Sequence, residues 1–185
     1  YNGYSLLYTG KDDNGNRLPL YIDMFGDNRP SGYHYLTILP VKFLGLSEFS
    51  TRLPAALFGS IMVFAIFFFT TTIFQDKKLG LISAFLVAVA PWNFVLSRAS
   101  AESIVALFFI LIGFGLFFYS LRKQKKLYLL IGSICIIASF FFYHTSRVFV
   151  PGLFLVFILM FLSTLKKASN SYKISVYFSF IFVVI

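Results

Sequence analysis

The chain has 185 residues, of which 58% are apolar, 21% aromatic and only 12% charged, about half the charged share of a soluble domain. That balance specifies a membrane protein. Its net charge of +9 does not point to nucleic acid, because the basic residues form no patch with interleaved aromatics. The single Cys135 supports neither a disulfide framework nor a zinc site.

Residues 1–50 contain no apolar run long enough to cross a bilayer and read as a large loop outside it. Within the loop, NGYSLLYTG has the pattern of a short amphipathic helix stopped by glycine, and KDDNGNRLPL carries the chemistry of tight turns. Asp12 and Asp13 fit as turn residues. The stretch PSGYHYLTILPVKFLG mixes aromatic and polar groups in the manner of a helix lying in the membrane interface.

Residues 51–185 form the transmembrane region. Apolar runs cover 53–74, 79–97, 103–121, 127–143 and 148–165, with another from 174. Five full spans and part of a sixth are expected, since a span takes ~20 apolar residues. The chain starts without an initiator Met or signal pattern and stops inside ISVYFSFIFVVI, so it is expected to be a fragment. Thr51 is the expected cap of the first span, Ser100 of the third, and Thr145 or Ser146 of the fifth. Pro91, next to Trp92, is expected to kink the second.

Orientation follows the distribution of Lys and Arg among short loops. One set of turns holds Lys77, Lys78, Arg122, Lys123, Lys125, Lys126, Lys166, Lys167 and Lys173, whereas the alternate set holds Arg98 and Arg147. The first set is expected in the cytoplasm, which places residues 1–50 outside. Arg98, Glu102, His144 and Arg147 then fall at outer helix ends, on the same side as Asp27, Arg29, His34 and Arg52. Helix middles carry serine and threonine but no ionisable residue.

This distribution separates function classes. A secondary transporter or lipid flippase usually carries charge at the midplane. An enzyme acting on a lipid headgroup needs cations for phosphate and an acid for a proton, both at the interface. A noncatalytic assembly protein with a partner-binding outer loop is a third reading. Each residue also has a plain role. Arg98 and Glu102 make a helix-end ion pair at i,i+4, His144 beside Tyr143 suits the interface, and Arg147 can snorkel to headgroups. Two histidines without a paired carboxylate do not make a metal site.

The ordered segments YSLLYTGKDDNGNRLPL, FGDNRPSGYHYLT, FSTRLPAALFG and APWNFVLSRASAE resemble bacterial membrane glycosyltransferases related to protein O-mannosyltransferases and to the aminoarabinose transferase of lipid A. The resemblance covers roughly residues 1–150. It implies an all-α multi-pass protein, a GT-C-like helical bundle with a large extracytoplasmic first loop. It also implies transfer of a sugar from a polyprenyl-phosphate donor to a lipid, glycan or protein acceptor. The catalytic acid belongs to an Asp-Glu pair expected just upstream of Tyr1.

Arg29 and Pro30 stand where relatives have Lys-Pro-Pro, which implies a donor-phosphate contact; Ser31 departs from the second proline. Arg52 opens the RLP-type helix. Arg98 and Glu102 match a second polar segment, implying contacts to donor phosphate and acceptor respectively. His144 and Arg147 resemble an outer segment bordering the lipid pocket. No cofactor is evident, and a divalent metal is left open. Besides donor and acceptor, the partners implied are membrane lipids.

Overall fold

The computed structural model describes residues 1–24, 26–160 and 172–177. Element order is α1 (Asn2–Thr9), β1 (Tyr21–Met24), β2 (Asp27–Pro30), α2 (Gly32–Leu44), α3 (Glu48–Phe74), α4 (Lys77–Val89), α5 (Pro91–Arg98), α6 (Glu102–Lys123), α7 (Lys126–Phe142) and α8 (Ser146–Met160). Apart from one two-stranded hairpin, the architecture is all-α. Two helices, α3 and α6, are long and apolar enough to cross a membrane, and the α4–α5 pair makes a third if taken as one bent span. α7 has 17 residues and at 1.5 Å per residue reaches about 25 Å, the short limit for a span. The expected runs beyond residue 160 and beyond residue 177 lie outside the described residues.

The elements ahead of α3 form a small cap at one end of the bundle. α1 stops at Gly10, whose backbone is left-handed (φ 66) and whose N–H returns to the Leu6 carbonyl, as the sequence suggests. In the following turn Asp12 is buried and accepts hydrogen bonds from the Asn16 backbone (2.7 Å) and side chain (2.9 Å). The β1–β2 hairpin is absent from the sequence-based expectation; its register pairs Ile22 with Arg29 and Tyr21 with Pro30. Ile22 is fully buried, which anchors one face. Beyond it, Gly32 opens α2 directly against Phe141 and Phe142 of α7, with no room for a Cβ.

Helix starts differ from expectation by a few residues. α3 begins at Glu48, not after Thr51, because Ser47 and Ser50 form a reciprocal capping box: Ser50 N–H donates to Ser47 Oγ (3.2 Å) and Ser47 N–H to Ser50 Oγ (3.0 Å). α6 has Ala101, not Ser100, at its cap position. The proline-induced break is present: α4 and α5 meet at Ala90 with a 55° bend, and Pro91 opens α5. Asn93 on the bent arm donates to the Gly59 carbonyl (3.4 Å), tying α5 to α3.

α6 is the centre of the bundle, with 61% of its spanning window buried against 28% for α3. Its tightest contact is with α7. A Cβ on Gly132 would lie 2.8 Å from the Gly113 carbonyl oxygen, and one on Gly113 3.0 Å from the Gly132 carbonyl oxygen, so the two backbones touch. Lipid tails are as apolar as leucine, and helices in lipid associate through such small-residue contacts. Phe114, Phe117 and Phe118 extend the seam towards Phe154 of α8. At the far end Arg122 donates to the Ile73 carbonyl (2.7 Å), satisfying a terminal α3 carbonyl and setting α3 and α6 parallel. Lys77, Lys78, Arg122, Lys123, Lys125 and Lys126 thus gather at that end, opposite the cap.

Gly132→Val is expected to lower stability by on the order of 1 to 3 kcal/mol, the usual cost of overpacking. Gly152→Ala, where an added Cβ meets nothing within 4 Å, serves as the control. Thermal unfolding in detergent measures both, and equal melting temperatures for Gly132→Val and wild type would contradict the backbone contact.

Candidate functional site at the cap

The cap meets the bundle where the chain pauses between α5 and α6. The link Ala99–Ala101 is too short for a loop, and Ser100 takes a left-handed conformation (φ 54) to turn the chain, which is uncommon for a residue with a side chain. Its Oγ reaches the Thr51 carbonyl at 3.5 Å. Glu102 then occupies the first turn of α6, where the positive end of the helix favours a carboxylate.

Arg29 approaches Glu102 from β2. Its Nε donates to Asp27 Oδ2 at 2.9 Å, and its second guanidinium nitrogen lies 3.7 Å from Glu102 Oε1. The Glu102 side chain is 16% exposed and that of Arg29 43%, so the acid is sheltered while the cation remains open. The pair borders a cavity of about 330 Å³, also lined by Tyr33, His34, Thr37 and Ser100. Tyr33 donates its hydroxyl to the Thr51 carbonyl (2.9 Å) and Thr37 to the His34 carbonyl (2.7 Å). A second cavity of about 260 Å³, apolar and lined in part by Trp92, Leu107, Tyr143 and Phe149, lies beside Ser103.

Of the six residues singled out from the sequence, the structure brings Arg29 and Glu102 to the polar cavity. The other four are elsewhere at the same end. Arg52 pairs with exposed Glu48 along α3 at 3.2 Å. Arg98 rests on the Phe94 ring, 5.2 Å from its centroid, and does not pair with Glu102 among the described residues. The i,i+4 spacing brings side chains together only within one helix, and here α5 ends at Arg98 while α6 begins at Glu102. Arg147 stacks over Tyr21 of the hairpin at 5.0 Å and reaches the Phe140 carbonyl at 3.5 Å. His144 lies tilted against Tyr143, with ring centroids 5.1 Å apart.

Tyr33, Thr37 and Ser100 were not expected at a site, Ser100 having been expected only as a helix cap, and His34 was placed on this side without a role. Tyr33 and Thr37 are four residues apart, so the helical period of α2 would have shown them on one face. Ser100 gives no such signal, since it lines the cavity only because the span breaks. Among the described residues no group of three or more His, Cys, Asp or Glu side chains is placed to hold a metal ion.

His34 Nε2 is buried without a hydrogen-bond partner. Burial, above all, pushes its pKa below the ordinary 6.5, with Arg29 acting in the same direction and Asp13 against it. The unfolded chain therefore binds the proton more readily than the folded one, so this residue's contribution to stability rises with pH up to the ordinary value and is lost on acidification below it. His34→Gln is expected to flatten the fall in melting temperature on acidifying from pH 7 to pH 5. An unchanged pH dependence in that variant would assign the acid sensitivity to other groups.

Comparison with known proteins adds the final observation. No curated protein and no solved structure matches the chain. A family match does exist and covers most of the molecule, including Arg29 of β2, the link before α6 and every spanning helix described above. The chain belongs to the dolichyl-phosphate-mannose-protein mannosyltransferase family, which matches it over residues 28–185.

Proposed function

We propose that this protein transfers a sugar from a polyprenyl-phosphate donor to an acceptor hydroxyl at the outer face of the cell membrane, with the cavity beneath the cap as its site. The family supplies the general activity, that of a membrane glycosyltransferase with a polyprenyl-phosphate sugar donor. The observation that carries the site is the Arg29–Glu102 pair, a partly open cation facing a sheltered carboxylate on the cavity wall.

In this reading the donor phosphate docks on Arg29. The planar guanidinium pairs with phosphate oxygens in a fixed fork and stays charged. As the bond from the anomeric carbon to the phosphate oxygen breaks, negative charge grows on the leaving phosphate, and a cation held in place stabilises it without reorganisation. Glu102 orients the acceptor. The acceptor proton is left to the Asp-Glu pair that the resemblance assigns to the start of this loop. Asp12 does not take that part, since it is buried and held by Asn16 within its own turn. His144 and Arg147 border the site, next to the apolar cavity that suits an isoprenoid chain. Arg52 and Arg98 serve the helix ends.

Arg29→Ala in the full-length protein is expected to lower kcat/KM for transfer about 10²- to 10³-fold, the usual loss for one preorganised donor at developing charge. Arg29→Lys, which keeps the charge but loses the fork, should recover part of it. Arg98→Ala should stay within about twofold of wild type, as for a surface change away from the site. Transfer of radiolabelled sugar from a synthetic polyprenyl-phosphate donor measures all three, and full turnover by Arg29→Ala would remove that residue from the site.

The orientation is tested separately. Reporter fusions after Lys78 are expected to read cytoplasmic, and fusions after Glu102 extracytoplasmic, following the excess of Lys and Arg on the first side. The reverse result would place the cap and its cavity inside the cell.

A further inference from the structure

The hairpin that borders the cavity leaves one side of its ladder open. In an antiparallel pair, facing residues alternate between those that exchange both backbone hydrogen bonds and those whose N–H and C=O groups point away from the partner strand. Ser31 N–H donates to the Leu20 carbonyl at 3.1 Å, so the Leu20–Ser31 pair just beyond the strands is of the bonded kind. The alternation then makes Ile22–Arg29 and Met24–Asp27 bonded pairs, with Tyr21–Pro30 and Asp23–Asn28 between them. The backbone groups of Tyr21 and Asp23 therefore point outward from β1, and those of Asn28 and Pro30 outward from β2.

The two edges are unequal. Pro30 has no N–H to offer, and β2 is the strand that packs against α7. On β1 both outward residues carry an N–H and a C=O, and both are exposed. Among the described residues none of these groups has a hydrogen-bond partner. A row of this kind is a template for one more strand.

The position of the edge gives it a use. Facing residues of a pair turn their side chains to the same face, so Ile22, Met24, Asp27 and Arg29 share the inner one. Ile22 is buried there, and Met24 and Arg29 line the cavity. A strand added beside β1 would turn alternate side chains to that face, next to Met24 and towards the cavity that Arg29 and Glu102 share. Only an extended polypeptide presents a row of N–H and C=O groups at the strand repeat; a lipid or a glycan does not. The family description likewise names protein as the acceptor.

We propose that the free edge of β1 is the acceptor-binding surface, on which an extended polypeptide adds as a third strand and turns a Ser or Thr side chain into the cavity. This rests on the reading of the cavity as the site of transfer. The outward groups of Tyr21 and Asp23 supply few backbone hydrogen bonds, each of small net worth, which suits a substrate that must leave after modification. Recognition through the backbone also leaves the sequence around the modified residue largely free.

The test uses the full-length protein, polyprenyl-phosphate mannose as donor and a synthetic peptide carrying one serine, N-methylated at one backbone nitrogen at a time. A methyl group removes a donor and blocks the approach to an edge. The peptide KM is expected to rise about tenfold at every second position and less than about twofold at the positions between, the pattern of a strand that bonds through alternate residues. Sensitivity that is uniform along the peptide, or absent, overturns the proposal. In the protein, Asp23→Pro removes an outward N–H that the hairpin does not use, a change that edge strands tolerate. Asp23→Ala is its comparator, since both lose the side-chain bond to Gly26 N–H at 2.7 Å and only the proline also loses the backbone donor. Asp23→Pro should raise the peptide KM about tenfold over Asp23→Ala with the donor KM unchanged; equal peptide KM values would overturn the proposal. Should Asp23→Pro fail to fold, the methylated peptides decide the matter on wild type alone. Transfer from the donor to a lipid or glycan but to no peptide also overturns the proposal and leaves the donor site standing, whereas no turnover of any polyprenyl-phosphate sugar overturns the donor-site reading itself.

Discussion

Hydrocarbon offers no partner for a backbone or side-chain polar group, and this constraint arranges nearly everything in the molecule. Within the bundle several serines return to their own helices, Ser60 to the Ala56 carbonyl, Ser133 to Leu129 and Ser139 to Ile136, while Asn93 reaches across to the Gly59 carbonyl of α3. Charged groups are excluded to the helix ends. The two ends then differ by what the chain does there. At one, α3 and α6 each close on a glutamine in left-handed conformation, Gln75 and Gln124, and tight basic turns follow. At the other, the chain builds a cap of two short helices and a hairpin, and that is where a carboxylate and a cation share a wall.

Packing explains why the cap is held in register with the bundle. α6 is fixed against α7 by the Gly113–Gly132 backbone contact, and α7 in turn presents Phe141 and Phe142 to Gly32 at the start of α2. α3 is fixed to α5 where Gly59 meets Ser97, and the Thr51 carbonyl at its cap end accepts from Tyr33 and Ser100. Small residues permit each close approach, and each approach carries positional information from the bundle to the cavity. The 55° bend at Ala90 belongs to the same system, since a straight helix could not bring Asn93 and Ser97 to α3 and also deliver Ser100 beneath Tyr33.

The sequence made the all-α membrane class, the two long apolar helices α3 and α6, the short helix ending at Gly10, the break at Pro91 and the family legible, because each rests on local pattern or on an ordered set of motifs; of the five full spans expected, the described residues hold two helices long enough, or three if the bent pair is one. The hairpin was not legible. Its second strand reads Asp27-Asn28-Arg29-Pro30, polar and proline-terminated, with none of the alternation that marks a strand; it pairs because Ile22 finds a buried place and α7 supports it. The Arg98–Glu102 relation failed for a different reason. Spacing alone carries the assumption of one continuous helix, and Ser100 at φ 54 removes it. The partner Glu102 found instead, Arg29, is 73 positions earlier in the numbering, a separation that no local pattern encodes.

That long-range pair is weakly made, and its weakness bears on its role. At 3.7 Å, with one partner 43% exposed, it belongs with surface ion pairs that contribute about 0 to 1 kcal/mol. The cap does not depend on it: Ser31 Oγ donates to the Pro19 carbonyl at 2.7 Å in a buried site, Tyr35 to the same carbonyl at 3.1 Å, and Gly32 is wedged against α7. A guanidinium that is positioned by its own strand through Asp27 but owes little energy to Glu102 can exchange that carboxylate for a phosphate at low cost. On the proposed reading, stability and anion binding are carried by different contacts, and Arg29 can be altered while the scaffold that aims it stays intact.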